Sequence, residues 1–232
     1  AKASERKAIL WGHDLQKSYA DAVAEALALS QAPVMRKAGG HIARMLEILG
    51  SFDVMSVAEP SRGISRFLKG INNKTDTIGE LIASRRELDQ IVRLMDDALG
   101  ALIDLKDKLE KNARALEAIA RDAESHALTA LYLSEYLRPQ RPAVAERFVE
   151  RSMSLTQTVA QIRGNSAVRD MQLEQPIRMI SSIQHVTTVS MPDLLSSLAA
   201  INSLALQNTM ISPTAASELN YKLQDVIRQL KT

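Results

Sequence analysis

Few residues in this chain could do chemistry, and their spacing does not favour it. Histidine stands close to a carboxylate twice, at His13-Asp14 and at Glu124-x-His126. Two metal ligands on one helix face need a separation such as His-x-x-x-His or His-Glu-x-x-His, and neither occurs. Both pairs therefore read as surface or core histidines. Asp96-Asp97 points in two directions on a helix and reads as solvated. There is no cysteine, which removes thiolate nucleophiles, disulfides and thiolate metal sites. No Gly-x-Ser-x-Gly occurs among the many serines, and the four histidines fall in unrelated segments. A Ser–His arrangement is left without support. No Gly-x-x-x-x-Gly-Lys-Ser/Thr loop cradles a phosphate. The chain reads as a non-enzyme, with no catalytic, cofactor-binding or metal-ligating residue to nominate and no cofactor.

Charge adds little. The 232 residues carry a net charge of +2, and no block of five or more Lys/Arg appears. Ser84-Arg85-Arg86 is an isolated pair on a mixed-charge helix, so nucleic acid is not an expected partner. Residues 1–30 are charged throughout and lack the apolar core of a secretory signal. No run approaches the 18 apolar residues of a membrane span. A cytoplasmic location is expected, with peripheral membrane contact as the alternative.

The elements that would position any site are helices. Aromatic content is 3% against 46% hydrophobic residues overall. A core must then come from Leu, Ile, Met and Ala, which favour helix. Residues 4–30 read as one Ala-rich helix, with Ser4 as N-cap, Glu5 in the first turn, and a ragged stripe of Ile9, Leu10, Val23, Leu27 and Leu29. Gln31-Ala32-Pro33 breaks it. A second helix over 34–49 carries Ile42, Met45, Leu46 and Leu49, is weakened by Gly39-Gly40, and stops at Gly50. Residues 51–63 read as a linker.

Leu81, Leu88, Met95, Leu102, Leu109, Leu116 and Ala123 then recur every seven residues. Ile78, Val92, Leu99, Ala113 and Ala120 run beside them, interrupted by Arg85 and Lys106. This is the a/d seam of a coiled coil. It serves either as intramolecular core or as a groove for another chain. The two cations favour an open or staggered seam, unless their stems reach outward. A break near Lys111-Asn112, or a bend, is expected, and Arg138-Pro139-Gln140-Arg141-Pro142 ends the segment. Phe148, Leu155 and Ile162 mark the next helix, which Gly164-Asn165 interrupts. Pro176 should kink its continuation, and Met191-Pro192-Asp193 makes a second kink or a turn. Ser212-Pro213 reads as N-cap and N1 of a last helix, with Leu219, Leu223, Val226, Ile227 and Leu230 inward. The expected fold is all-α, an elongated helical bundle of long amphipathic helices with a coiled-coil-like central part. Its parts are an N-terminal helical segment over 1–50, the linker over 51–63, and the long-helix bundle over 64–232.

Three blocks look familiar. Gly63-Ile64-Ser65-Arg66-Phe67-Leu68, followed by Ile78 and Leu81, resembles the start of the long central helix in the toxic-anion (tellurite) resistance family of the TelA type. Leu109-Glu110-Lys111-Asn112-Ala113-Arg114-Ala115-Leu116 is similar to that family's Asn-centred stretch. Gln175-Pro176-Ile177-Arg178-Met179-Ile180, then Met191-Pro192, is similar to its Pro-Ile-Arg and late Pro positions. The order agrees over about residues 60–210, while Asp193 and Leu194 stand where the pattern carries an aromatic. The resemblance implies resistance to tellurite and to envelope-acting compounds, without an enzymatic mechanism and without site residues to carry over. Oxyanion reduction commonly needs thiols or a redox cofactor, so an indirect role is implied. The expected function is a non-enzymatic helical stress-response and interaction protein. Its partners would be other protein chains through helical surfaces. The alternative is a peripheral membrane-acting helical protein. The places to look for a functional surface are the exposed flank of residues 78–123 and the Pro176 and Pro192 bends.

Overall fold

The structure, a computed structural model, describes residues 2–52, 54, 83–207 and 212–231. Gly63–Leu68, Ile78 and Leu81 lie outside them, as does nearly all of the linker expected over 51–63. Among the described residues every regular element is helical: α1 (Lys2–Ile9), α2 (His13–Ser30), α3 (Pro33–Gly50), α4 (Arg85–Leu137), α5 (Pro142–Gly164), α6 (Ser166–His185), a π-helical turn (Val186–Ser190), α7 (Met191–Leu206) and α8 (Pro213–Lys231). The protein is an all-α helical bundle. It packs as two compact units, each made from two stretches of chain. The first unites Ala1–Ala32 with Asp104–Gln175, the second Pro33–Ile103 with Pro176–Thr232. The N-terminal piece read as 1–50 is thus divided at Pro33. The expected bundle over 64–232 supplies parts of both units.

Helix α4 runs unbroken through Lys111-Asn112, against the expected break. Leu88, Met95, Leu102, Leu109, Leu116 and Ala123 are all buried, as the heptad spacing predicts. The companion row differs. Val92, Leu99 and Ala113 are only half-buried, as is Ala98, while Ile91, Leu105 and Asn112, which precede Val92, Lys106 and Ala113 by one residue, are buried. Lys106 and Arg85 therefore stand beside the seam and not in it. Lys106 pairs with Glu110 at 2.8 Å and Arg85 with Asp89 at 3.8 Å. From Ala120 on, the companion row follows the Leu row by four residues instead of three, at Ala120, Ala127 and Ser134. A helix of 3.6 residues per turn drifts by about 20° per heptad, so a stripe fixed to its neighbours must change step in this way.

In the first unit, residues 4–30 are two helices, not one. Helix α1 starts at Lys2, so Ser4 is not its N-cap. The chain turns at Leu10–Gly12, where Gly12 has φ +69°, a left-handed conformation that disfavours any side chain. Leu155 of α5 lies directly above it, so that a Cβ on Gly12 would sit 2.8 Å from both Leu155 δ-carbons. The turn places Trp11 against His126 and Phe148, with ring centroids 5.5 and 5.7 Å away. Trp11 Nε1 donates to the carbonyl of His126 at 3.0 Å, and Arg151 Nε donates to the carbonyl of Trp11 at 2.8 Å. Arg151 also donates to Gln16 Oε1 at 2.8 Å, and Gln16 Nε2 donates to Ser154 Oγ at 2.9 Å. Helices α4 and α5 meet through small residues. Ala123 and Ala127 lie under Leu155 and Val159, and the Ser152 hydroxyl donates to the carbonyl of Ala127 at 2.8 Å.

The second unit has the larger core. Met45 and Leu49 of α3, Leu88, Met95 and Leu102 of α4, and Ile183 of α6 are buried together with Met191 and Leu194 of α7 and Leu219 and Leu223 of α8. Each such side chain contributes about 1.5–3 kcal/mol by leaving water. Polar ties border this core. Arg44 pairs with Glu87 at 2.7 Å, and Lys222 of α8 reaches Asp193 at 2.9 Å and Ser197 at 2.7 Å on α7. Helix α6 continues through Pro176. Met191-Pro192-Asp193, read as a second kink or a turn, is the first turn of α7, and a π-helical turn over Val186–Ser190 leads into it. Pro192 has no N–H for the α-helical register, and a widened turn absorbs the lost bond. The Met191 N–H donates to the carbonyl of Val186, five residues back. Ser212 caps α8 as its spacing predicts, accepting from the Ala215 N–H at 3.1 Å.

Candidate functional site

The pairs singled out for chemistry do not assemble. His13 and Asp14 are both exposed at the start of α2. Glu124 and His126 turn to different partners. Glu124 takes two hydrogen bonds from Arg163 of α5, at 2.7 and 3.2 Å. The Arg163 guanidinium holds the Glu124 carboxyl below its ordinary range, chiefly through these bonds. His126 Nδ1 lies 2.8 Å from the Asp122 carbonyl, and its ring faces Trp11. Asp96 and Asp97 are exposed. Among the described residues, no group of three or more His, Asp or Glu is placed to hold a metal ion.

The heptad seam is filled from within each unit. In the first, Leu116 and Ala120 of α4 pack with Ala22 of α2 and Ile162 of α5. In the second, Leu88, Met95 and Leu102 belong to the common core. The open grooves of the surface lie elsewhere.

Helix α2 supplies one. Its small residue Ala22 faces α4 and is buried, while Val23 and Leu27 are 44% and 58% exposed. The larger apolar side chains of the ragged stripe thus point outward; Ile9 and Leu10 on the preceding segment do the same. Tyr19, Val23, Ala26 and Leu27 form one wall of a groove of about 230 Å³. Leu116 and Ile162, both buried, form its floor, and Val168, Arg169 and Gln172 of α6 form the other wall. Val168 is 50% exposed.

Two polar devices hold these walls. Asn112 of α4 is buried, and its side-chain nitrogen donates to the carbonyl of Ala22 at 2.9 Å and to Glu25 Oε2 at 3.1 Å. These bonds set the register of α2 on α4, since sliding by one residue would strand the amide. Across the groove, Arg169 donates to the carbonyl of Ile162 at 2.6 Å. That carbonyl belongs to the last turn of α5, where carbonyls lack helical partners and a cation is favoured. Among the described residues, Arg169 is the one cation lining the groove, and no carboxylate lines it. The arrangement can bury an apolar helix face and meet one negative charge.

A functional surface was expected on the flank of residues 78–123 or at the Pro176 and Pro192 bends; of the described residues at these places, only Leu116 lines this groove. The signal that could have found it is the contrast along α2, where Ala22 and not Val23 or Leu27 sits on the inward position. Compared with known proteins, the chain matches no family model, no curated protein and no solved structure. No helix among the described residues is long and apolar enough to cross a membrane.

Proposed function

We propose that the chain is a non-enzymatic helical interaction protein that docks an amphipathic helix of another protein in the groove of its first unit. One observation carries this reading: Val23, Leu27 and Val168 stand exposed around a buried apolar floor of Leu116 and Ile162. Leaving such a concave apolar surface in water is costly, and helix-in-groove recognition uses this shape. The occupant is a helix with apolar residues three and four apart and a carboxylate able to reach Arg169. The resemblance to the toxic-anion resistance family supplies a setting, in which such docking supports tolerance to tellurite and envelope stress without redox chemistry.

A photo-crosslinking residue at Leu27, in the cells that make the protein, tests the groove. The crosslinked peptide is expected to be amphipathic and to carry an acidic residue, and a synthetic copy should bind the purified protein. Leu27→Asp and Val168→Asp should each weaken that binding roughly tenfold or more, by burying a charge in the groove. Helical circular dichroism should be retained. No adduct at Leu27, or peptide binding indifferent to both substitutions, overturns the reading. Flotation with liposomes that depends on Leu27 would assign the groove to a membrane surface instead. Growth on graded tellurite, with the gene deleted and restored, tests the setting separately; unchanged tolerance detaches the resistance role.

A further inference from the structure

The second unit holds a site of different character. Arg178, Ser181, Ser182 and His185 are three and four residues apart, which puts them on one face of α6. Together with Gln229 of α8 they line a depression of about 400 Å³. Every one of these side chains offers an N–H or O–H donor, and none is a carboxylate. Arg178, Ser182 and Gln229 each also interact with another group. Asp225, near His185, is committed to the Ser190 hydroxyl at 2.9 Å and to Arg228. The last turn of α6 has no open carbonyl end to repel an anion, because helical bonding continues through the π turn into α7. An Arg fork with hydroxyl, imidazole and amide donors around it is the donor set that oxyanions take. The volume exceeds that of a bare ion and lies in the range of small-metabolite pockets, roughly 300–1,000 Å³.

We infer that this depression binds a small molecule through a phosphate or similarly sized oxyanion group. The inference is independent of the groove in the first unit. The test is a titration of the isotope-labelled full chain with inorganic phosphate and, separately, with glycerol phosphate. The probes are the Ser181 and Ser182 amides and the His185 ring in magnetic resonance spectra. Both ligands should give saturable shifts confined to these residues, with the ester binding more tightly than the free ion. Arg178→Gln should weaken both roughly tenfold, through loss of a charge-assisted contact. Arg178→Lys should keep part of the affinity, and Arg114→Gln on the first unit should change nothing. Shifts that never saturate, or that persist undiminished in Arg178→Gln, overturn the site. Equal affinity for the ion and its ester overturns the metabolite and leaves a free-ion site.

Discussion

Asn112 and Ala22 are 90 residues apart in the chain, and the Asn112 side chain donates to the Ala22 carbonyl at 2.9 Å. A buried amide at a seam position costs stability relative to Leu but fixes one alignment of two helices. Asn112→Ala should therefore destabilise the protein by about 1–2 kcal/mol, from the lost bonds and the cavity. It should also loosen α2, seen as faster amide hydrogen exchange over residues 13–30. A variant as stable as the parent, with unchanged exchange, would remove Asn112 as the determinant of register.

Gly12 should tolerate no side chain. Gly12→Ala meets two penalties: the left-handed backbone, about 1–2 kcal/mol, and the approach to Leu155. Thermal melts should show a clear loss of stability. In the background of Leu155→Ala, which empties the space above, the same substitution should cost less but not nothing. Equal costs in the two backgrounds would mean that Leu155 gives way freely.

Trp11, the single tryptophan, reports on the first unit alone. Circular dichroism reports on every helix. Helices α4 and α6 each contribute to both units, so unfolding one unit should release the other. Tryptophan emission and circular dichroism are expected to give the same urea midpoint. Two separated midpoints would establish units that unfold independently.

Acid should weaken the surface ties of α4 before it reaches the core. Hydrogen bonds from Lys106 hold the Glu110 carboxyl below its ordinary range, as those from Arg163 do for Glu124. A carboxyl whose pKa is lower in the folded state stabilises it fully above the unfolded value, near 4.5. That stabilisation fades as pH falls through the lower folded value. Both side chains are partly exposed, at 27% and 48%, so the effect should be small and screened by salt. Arg163→Gln should flatten the loss of stability between neutral and acid pH. An unchanged pH profile would show that the Glu124 pair contributes nothing in solution.

The all-α fold was legible because Leu88, Met95, Leu102, Leu109 and Leu116 hold one spacing over many turns. The companion row was harder to read. A stripe can follow by three residues or by four, and Val92 and Leu99, at the second offset, are apolar and pack half-buried against the core. Only packing decides, and it places Ile91, Leu105 and Asn112 inward. Taking Lys106 for a seam residue followed from the same ambiguity. A break or a bend near Lys111-Asn112 was expected from the length of the segment alone; the bond of Asn112 to Ala22 of α2 joins residues 90 positions apart and leaves no local mark. The break at Gly12 depends on Leu155, 143 positions later, so a single glycine between helix formers gave no warning. Ser212, whose capping bond is local, was read correctly. The groove combines side chains from four helices, and one dimension holds no signal for that convergence.

The way each unit is assembled from two separated stretches of chain bears on how this gene can change over generations. The groove needs Tyr19 to Leu27 from one stretch and Leu116 to Gln172 from the other. Recombination that carried off residues 33–103 would take part of the second unit and leave it without Ile183, Leu194 and Leu219. Recombination that carried off residues 1–32 would strip one wall from the groove and uncover Leu116, Ala120 and Ile162. Neither unit can be inherited as a cassette. If the groove docks a helix as proposed, a new binding preference has to come from point substitutions made in place, at exposed positions such as Val23, Leu27 and Val168.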